Sequence, residues 1–176
     1  MNLLEAIKKV QDRREGCIAA FEYLIERFKN RIFTVCYRII GNIEDAKDIS
    51  QDTFIEIYMK LKTLHDPRKF SVWIYKIAVN KSINFLRKKR RVLIFSKANL
   101  FVAKEKNKEI IKRDTINFLL SKLTPDYRTV LVLFYIEDKT IKEIASILDI
   151  TESAVKMRLT RAREKLKNLK RYIYKW

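Results

Sequence analysis

The sequence predicts an all-α protein, two small helical domains joined by a linker, and three observations carry that prediction. Apolar residues recur at spacings of three and four over most of the chain. Only two Gly and two Pro among 176 residues leave few places for the tight turns that sheets need. Lys, Arg, Glu and Leu are abundant, and all four are strong helix formers. A hydrophobic content of 48% is ample for a buried core. The domains are expected at 1–95 and 114–176, with 96–113 as the linker.

The N-terminus, MNLLEAIKKV, has no apolar stretch followed by a cleavage site, so no secretion signal is expected and the protein is read as cytoplasmic. From Ala20 to Ile40 the residues Phe21, Leu24, Ile25, Phe28, Ile32, Val35, Cys36 and Ile39 recur at helical spacing, which marks a core helix. Gly41 and Asn42 tolerate a left-handed cap and end it. A second helix is expected from Ile43 to Leu64, burying Ile43, Ala46, Ile49, Thr53, Ile57, Leu61 and Leu64. Along another face Glu44, Asp48, Asp52 and Glu56 fall every four residues. Like charges at that spacing cost ~0.2–0.5 kcal/mol per pair, so a purely structural rationale is weak. In so basic a chain the stripe fits contact with a basic protein surface. A metal site or a pair of catalytic acids would be the chemical alternative, and a solvated face balancing nearby lysines the bland one. Di-iron helices use Glu-x-x-His, and the one His of the chain, His65, lies beyond the stripe.

Asp66 and Pro67 break that helix, and FSVWIYKIAVNKSINFLRKKRR follows from Phe70. Ile74, Ile77, Ala78, Val79, Phe85 and Leu86 share an apolar arc into which Lys81 intrudes. Opposite lies a narrow stripe of Trp73, Lys76, Asn80, Asn84 and Arg87 that runs into the basic block Arg87 to Arg91. An aromatic ring beside amides and cations is what stacking on an unpaired base requires. The alternative is that Trp73 caps the core and the basic block is a solvated helix end. Ser96 to Asp114 mixes charge with scattered apolar residues and forms the linker. Beyond it Ile116, Leu119, Leu120 and Leu123 define a short helix. Thr124 caps another with Pro125 at its first position, turning Val130, Leu131 and Phe134 inward and ending near Glu137 and Asp138.

Thr140 to Lys165 reads as a helix-turn-helix. Thr140 and Glu143 form a capping box; Ile141, Ile144, Ala145 and Leu148 share one face. Thr151 caps a second helix whose Ala154, Val155 and Leu159 point inward, leaving Lys156, Arg158 and Arg161 for solvent or phosphate. The bland reading is a trihelical core with a solvated basic face. Further along, Arg163, Lys165, Lys167, Lys170, Arg171 and Lys175 make a basic tail.

A net charge of +18 favours a polyanion partner, with nucleic acid first and a membrane surface second. The longest apolar run, Val130 to Ile136, is too short to span a bilayer, so no membrane insertion is expected. Cys17 and Cys36, with one His, lack the ligand count of a zinc site and read as core thiols. Neither metal nor cofactor is expected.

Three motifs in order resemble one family, the bacterial RNA polymerase sigma factors of the extracytoplasmic-function (ECF, group 4) type. They are DAKDISQDTFIEIY from Asp45, the Phe70 segment above, and LTPDYRTVLVLFYIEDKTIKEIASILDITESAVKMRLTRAREKL from Leu123. The resemblance implies a domain 2 helical bundle that binds core polymerase and melts the minus-10 element, and a domain 4 helix-turn-helix that reads the minus-35 element. It implies no catalysis. Asp45, Asp48, Gln51 and Asp52 fall at positions implied to bind the beta-prime clamp helices. Trp73, Lys76, Asn80, Asn84 and Arg87 fall on the minus-10 helix, and Ser153, Lys156, Met157, Arg158, Thr160 and Arg161 on the minus-35 recognition helix. The beta flap is a further implied contact, and an anti-sigma factor, often membrane-bound, an implied regulator. Asp149 stands where relatives carry Gly in the turn, tolerable because Asp visits left-handed conformations. Met157 and Thr160 depart from the usual Ser or Arg, so positions transfer and base preferences do not. Competing functions are a DNA-binding regulator without polymerase affinity, which leaves the acidic stripe unexplained, and a DNA-acting enzyme, which lacks a supported nucleophile or metal set.

Overall fold

The computed structural model describes residues 1–13, 15–97 and 115–173. Helix α1 spans Leu3–Asp12 and opens on a capping box in which Asn2 Oδ1 accepts from the Glu5 amide at 2.9 Å. It buries Ala6, Ile7 and Val10. This helix goes beyond the sequence expectation, which assigns no element to the N-terminus. Gln11 fixes it in place, donating from Nε2 to the carbonyls of Leu61 and Leu64 at 3.0 and 2.8 Å.

Helix α2, Cys17–Ile40, starts three residues earlier than the periodicity indicates and stops at Gly41, whose φ of 82° needs no Cβ to be accommodated. Asn42 then caps α3, Ile43–Lys60, accepting from the Asp45 amide at 2.9 Å. Ile43, expected in the core, is 40% exposed because it sits at the first position of α3, ahead of the bundle. A 3-10 turn, Leu61–Thr63, ends the segment, and Leu61 and Leu64 are buried as anticipated. Asp66 and a second 3-10 turn, Pro67–Lys69, lead into α4, Phe70–Lys97. The first two residues of the expected linker are therefore helical; 98–113 lies outside the described residues.

Helix α5 spans Thr115–Ser121, and α6, Pro125–Leu131, has Pro125 at its first position. The chain then widens into a π-helical turn, Val132–Ile136, where the Glu137 amide donates to Val132 O at 3.1 Å. The apolar run supplies Val130, Leu131, Val132 and Leu133 to the core. Ile116, part of the periodic pattern that marks α5, is 53% exposed. Helices α7, Ile141–Leu148, and α8, Glu152–Ile173, complete the fold. Among the described residues there is no strand.

In the first half α2 packs on α1, α3 and α4; in the second, α6 and α7 pack on α8. The halves also meet. Helix α4 lies against α7, and α2 touches α5, α6 and the π-helical turn, so the buried apolar residues form one continuous cluster. Full burial of an Ile, Leu or Phe is worth ~1.5–3 kcal/mol, so Leu24, Ile32, Ile74, Leu133 and Ile144 are the main contributors. Polar groups fix the seam. The Tyr75 hydroxyl donates to Glu137 Oε2 at 2.5 Å, and Arg38 Nη1 donates to Asn117 Oδ1 at 3.0 Å. Arg128, 8% exposed, donates to Ile39 O at 2.5 Å and to Leu120, Ser121 and Leu123 O at 2.9, 3.3 and 3.2 Å. Ile39, Leu120 and Ser121 lie in the last turns of α2 and α5, whose negative dipole ends suit a buried cation, and Leu123 follows in the turn, its amide donating to Leu120 O at 3.0 Å.

Candidate nucleic-acid and partner interface

The acidic stripe of α3 divides by partner. Glu44 binds Lys47 at 3.1 Å, and Asp45, partly buried, binds Lys89 of α4 at 2.7 Å. Glu56 takes Lys60 at 2.8 Å and Lys81 at 3.0 Å. The Lys60 hydrogen bond, aided by Lys81, holds the Glu56 carboxyl below the usual glutamate range. Lys81, which intrudes on the apolar arc of α4, therefore has its partner on the adjacent helix. Asp48, Gln51 and Asp52 remain exposed between these neutralised ends. Ile55 and Met59, 59% and 68% exposed, continue the same face, seven and eleven residues beyond Asp48. Among the described residues no group of His, Cys, Asp and Glu could hold a metal ion.

On α4 the core side is built by Phe70, Ile74, Tyr75, Ala78 and Val79. Trp73 is half-buried, its ring 6.1 Å from Phe70, which in turn meets Phe28 edge-on at 5.5 Å. The Trp73 side chain packs against the core and keeps part of its surface exposed. Asn80, Asn84 and Arg87 are exposed, as are Lys88, Lys89, Arg90 and Arg91. Lys76 is half-buried, its Nζ 4.0 Å from Asp149 of the helix-turn-helix.

The helix-turn-helix forms as its residues dictate. Thr140 and Glu143 close the capping box, with the Thr140 amide 2.9 Å from Glu143 Oε2 and the Glu143 amide 3.2 Å from Thr140 Oγ1. Asp149 occupies the left-handed turn position at φ 56°, and the Ile150 amide closes the end of α7 on Ala145 O at 3.1 Å. Thr151 Oγ1 accepts from the Ala154 amide at 3.1 Å. Val155, Leu159 and Ala162 anchor α8, while Ser153, Lys156, Met157, Thr160 and Arg161 face solvent. The Thr160 hydroxyl is engaged with Lys156 O at 3.1 Å. Arg158 departs from expectation. It is turned inward, half-buried, with Nη2 3.7 Å from Asp126 Oδ2, because Asp126 at the start of α6 supplies the nearest carboxylate.

The two sets of residues share a space that the sequence does not announce. Asn80, Asn84 and Arg87 of α4 line one wall of a cleft of about 190 Å³, and Asp126, Leu148, Ile150 and Arg158 line the other. A second, larger hollow of about 540 Å³ opens between α5, the π-helical turn and α8. Its lining is mostly apolar, including Ile116, Leu119, Leu131 and Ile136, with Arg163 and Lys167 at the edge. Arg163 Nε donates to the Tyr135 hydroxyl at 2.8 Å and its guanidinium lies over the Phe134 and Tyr135 rings at 5.7 and 5.5 Å. The exposure of Ile116 and Tyr135 is the signal of this groove, and it is invisible to helical periodicity.

Two family models match the chain: Sigma-70 region 2 over residues 24–92 and Sigma-70 region 4 over residues 113–166. The chain is 33% identical over 175 residues to the ECF RNA polymerase sigma factor SigW of Bacillus subtilis, covering 91% of this chain and 94% of that protein. Among solved structures it is similar to CnrH in complex with the cytosolic domain of CnrY, with a TM-score of 0.70 and 25% identity over 95% of this chain and 96% of that one. The sigma factor RpoE in complex with the anti-sigma factor NepR from Bartonella quintana shares the fold, at a TM-score of 0.71 and 19% identity over 86% of this chain and 96% of that one. The chain belongs to the sigma-70 family of RNA polymerase sigma factors, in its ECF group.

Proposed function

We propose that this chain binds core RNA polymerase and directs promoter-specific initiation. In this reading residues 1–95 grip the polymerase and open the minus-10 element, 96–113 link, and 114–176 bind the minus-35 element. One observation carries it: a single chain exposes an acidic face on α3, an aromatic and basic stripe on α4 and a basic recognition face on α8. A DNA-binding regulator needs only the last of these.

Asp48, Gln51 and Asp52 meet the basic clamp helices of the beta-prime subunit, and Asp45 holds the angle between α3 and α4 through Lys89. Trp73 stacks on a base released from the duplex, with Lys76, Asn80, Asn84 and Arg87 along the adjoining strand. Lys156 and Arg161 pair with guanine or phosphate, Ser153 and Thr160 offer short polar contacts, and Met157 packs on a thymine methyl. Arg158 joins them only after releasing Asp126. The apolar groove beside Ile116 and Tyr135 is the surface we assign to the polymerase beta flap, since a shallow apolar trough with a cationic rim suits an amphipathic segment. An anti-sigma factor, membrane-anchored in one arrangement, controls the chain. The complexes of CnrH with CnrY and of RpoE with NepR support that regulation. The chain works in the cytoplasm as a specificity subunit without chemistry of its own.

Run-off transcription with purified core enzyme on a genomic promoter library tests the assignment. Discrete transcripts that appear only when the chain is added are expected. Initiation no higher than with core enzyme alone defeats it.

A further inference from the structure

We propose that the hollow beside the π-helical turn is a binding site for an aliphatic monocarboxylate, a free fatty acid anion whose head is taken by Arg163 and Lys167 and whose chain lies against α5. The hollow is the groove assigned above to the beta flap, so exclusion of the flap by a bound acid rests on that reading; the binding itself does not.

The shape and lining of the hollow select the ligand. Its volume of about 540 Å³ falls inside the ~300–1,000 Å³ of pockets that enclose a small molecule. Ile116, Leu119, Leu131 and Ile136 offer aliphatic surface without a side-chain donor or acceptor, so whatever lies against them needs a chain free of polar groups. The charges gather at one edge, where Arg163 and Lys167 stand one turn apart on α8, and no described lining residue is acidic. An apolar body with a single anionic end matches that division. A sugar, a nucleotide or a cation does not.

Arg163 is held in position for such a head. Its Nε donates to the Tyr135 hydroxyl at 2.8 Å, and its guanidinium lies over the Phe134 and Tyr135 rings at 5.7 and 5.5 Å. Both Nη groups, which have no hydrogen-bond partner among the described residues, remain to donate side by side to the two oxygens of a carboxylate. The π-helical turn supplies Val132, Tyr135 and Ile136 to the same lining, and widened turns of this kind recur at functional sites. Ile116 and Tyr135, 53% and 56% exposed, are the surfaces that an aliphatic chain would cover.

Isothermal titration calorimetry of sodium dodecanoate into the full chain tests this. One site per chain is expected, with Kd falling about fourfold for each methylene added between octanoate and dodecanoate. Arg163→Gln removes the paired bonds and is expected to raise Kd about 10- to 150-fold. Ile116→Glu, at an exposed position, sets a carboxylate beside the bound acid and is expected to abolish the site. Lys142→Gln loses the same charge from an exposed position of α7 outside the hollow, and is expected to stay within about twofold of wild type. Circular dichroism checks that helix content is matched. Absence of saturable binding, several equivalent sites per chain, or a Kd indifferent to chain length overturns the proposal. So does an Arg163→Gln variant that binds no more weakly than Lys142→Gln, or an Ile116→Glu variant that binds like wild type. Polymerase is absent from every titration, so a failure here is separable from a failure to initiate transcription.

Discussion

Arg128 offers the sharpest test of how the second half is held together. It is a buried guanidinium bonded to four backbone carbonyls drawn from three segments, and burial works against its charge. In Arg128→Met an apolar side chain of similar reach replaces it. Ile39 and Leu123 are buried residues, so their carbonyls lose a partner that water cannot replace, whereas Leu120 O keeps the Leu123 amide at 3.0 Å and Ser121 is exposed and regains a partner. Two unsatisfied acceptors at ~1–3 kcal/mol each outweigh the desolvation recovered by removing the cation, leaving a net loss of about 2–4 kcal/mol. For a chain of this size that lowers the thermal midpoint by about 4–16 °C, at ~2–4 °C per kcal/mol. Far-UV circular dichroism on the full chain measures it. Arg128→Lys is expected to fall between, since an ammonium has three donors on one atom and cannot reach all the segments at once. A midpoint for Arg128→Met within the error of wild type refutes the reasoning, and so does a Lys variant as stable as Arg.

Three other outcomes follow from the same geometry. Asp52→Lys reverses an exposed charge on α3, so pull-down with core polymerase is expected to be abolished while electrophoretic mobility shift on duplex DNA is retained; simultaneous loss of both argues against separate surfaces. Trp73→Ala is expected to leave closed-complex formation intact and to weaken strand opening by the ~1–3 kcal/mol of a stacked base, about 5- to 150-fold in open complex by permanganate reactivity. Burial pushes the Cys36 thiol up to about 11, so at about pH 8 only about one in a thousand is thiolate. Iodoacetamide is expected to modify Cys17 in the native chain and Cys36 only in urea, and equal rates for both in native buffer contradict its burial.

Much of the fold is written in local punctuation. Gly41 with Asn42, Thr140 with Glu143, and Thr151 each offer one conformation or one hydrogen bond that a helix end needs, so the boundaries of α2, α3, α7 and α8 fall at or close to them. Helix α1 carries the same punctuation in Asn2 and Glu5, but three buried residues in ten make a weak periodic signal. Periodicity tells which face is buried and not what buries it. Lys81 interrupts an apolar arc because its partner, Glu56, lies on another helix, and Arg158 turns inward because Asp126 does. Ile43 and Ile116 sit on apolar faces that outrun their neighbours, the one at a helix start and the other along a groove. The candidate site divides in the same way. Exposed Asp48, Gln51, Asp52 and the outer face of α8 follow from single-helix patterns, whereas the shared cleft and the Tyr75–Glu137 bond depend on elements far apart in sequence.

The composition of the seam bears on whether it can open. A purely apolar junction would expose core on parting and cost about 25 cal/mol for each Å². Here the named contacts across the seam are Tyr75 with Glu137, Arg128 with Ile39 O, Arg38 with Asn117 and Lys139 with Ser71. Each of these groups can regain water when the halves separate, so much of the bond energy is exchanged and not lost. Self-repulsion in a chain of net charge +18 pushes the same way, and a polyanion or an acidic partner removes that push. The Tyr75–Glu137 bond is set within the continuous apolar cluster, so parting the halves would return its polar groups to water at little cost while exposing apolar surface of α4 and α7 as well.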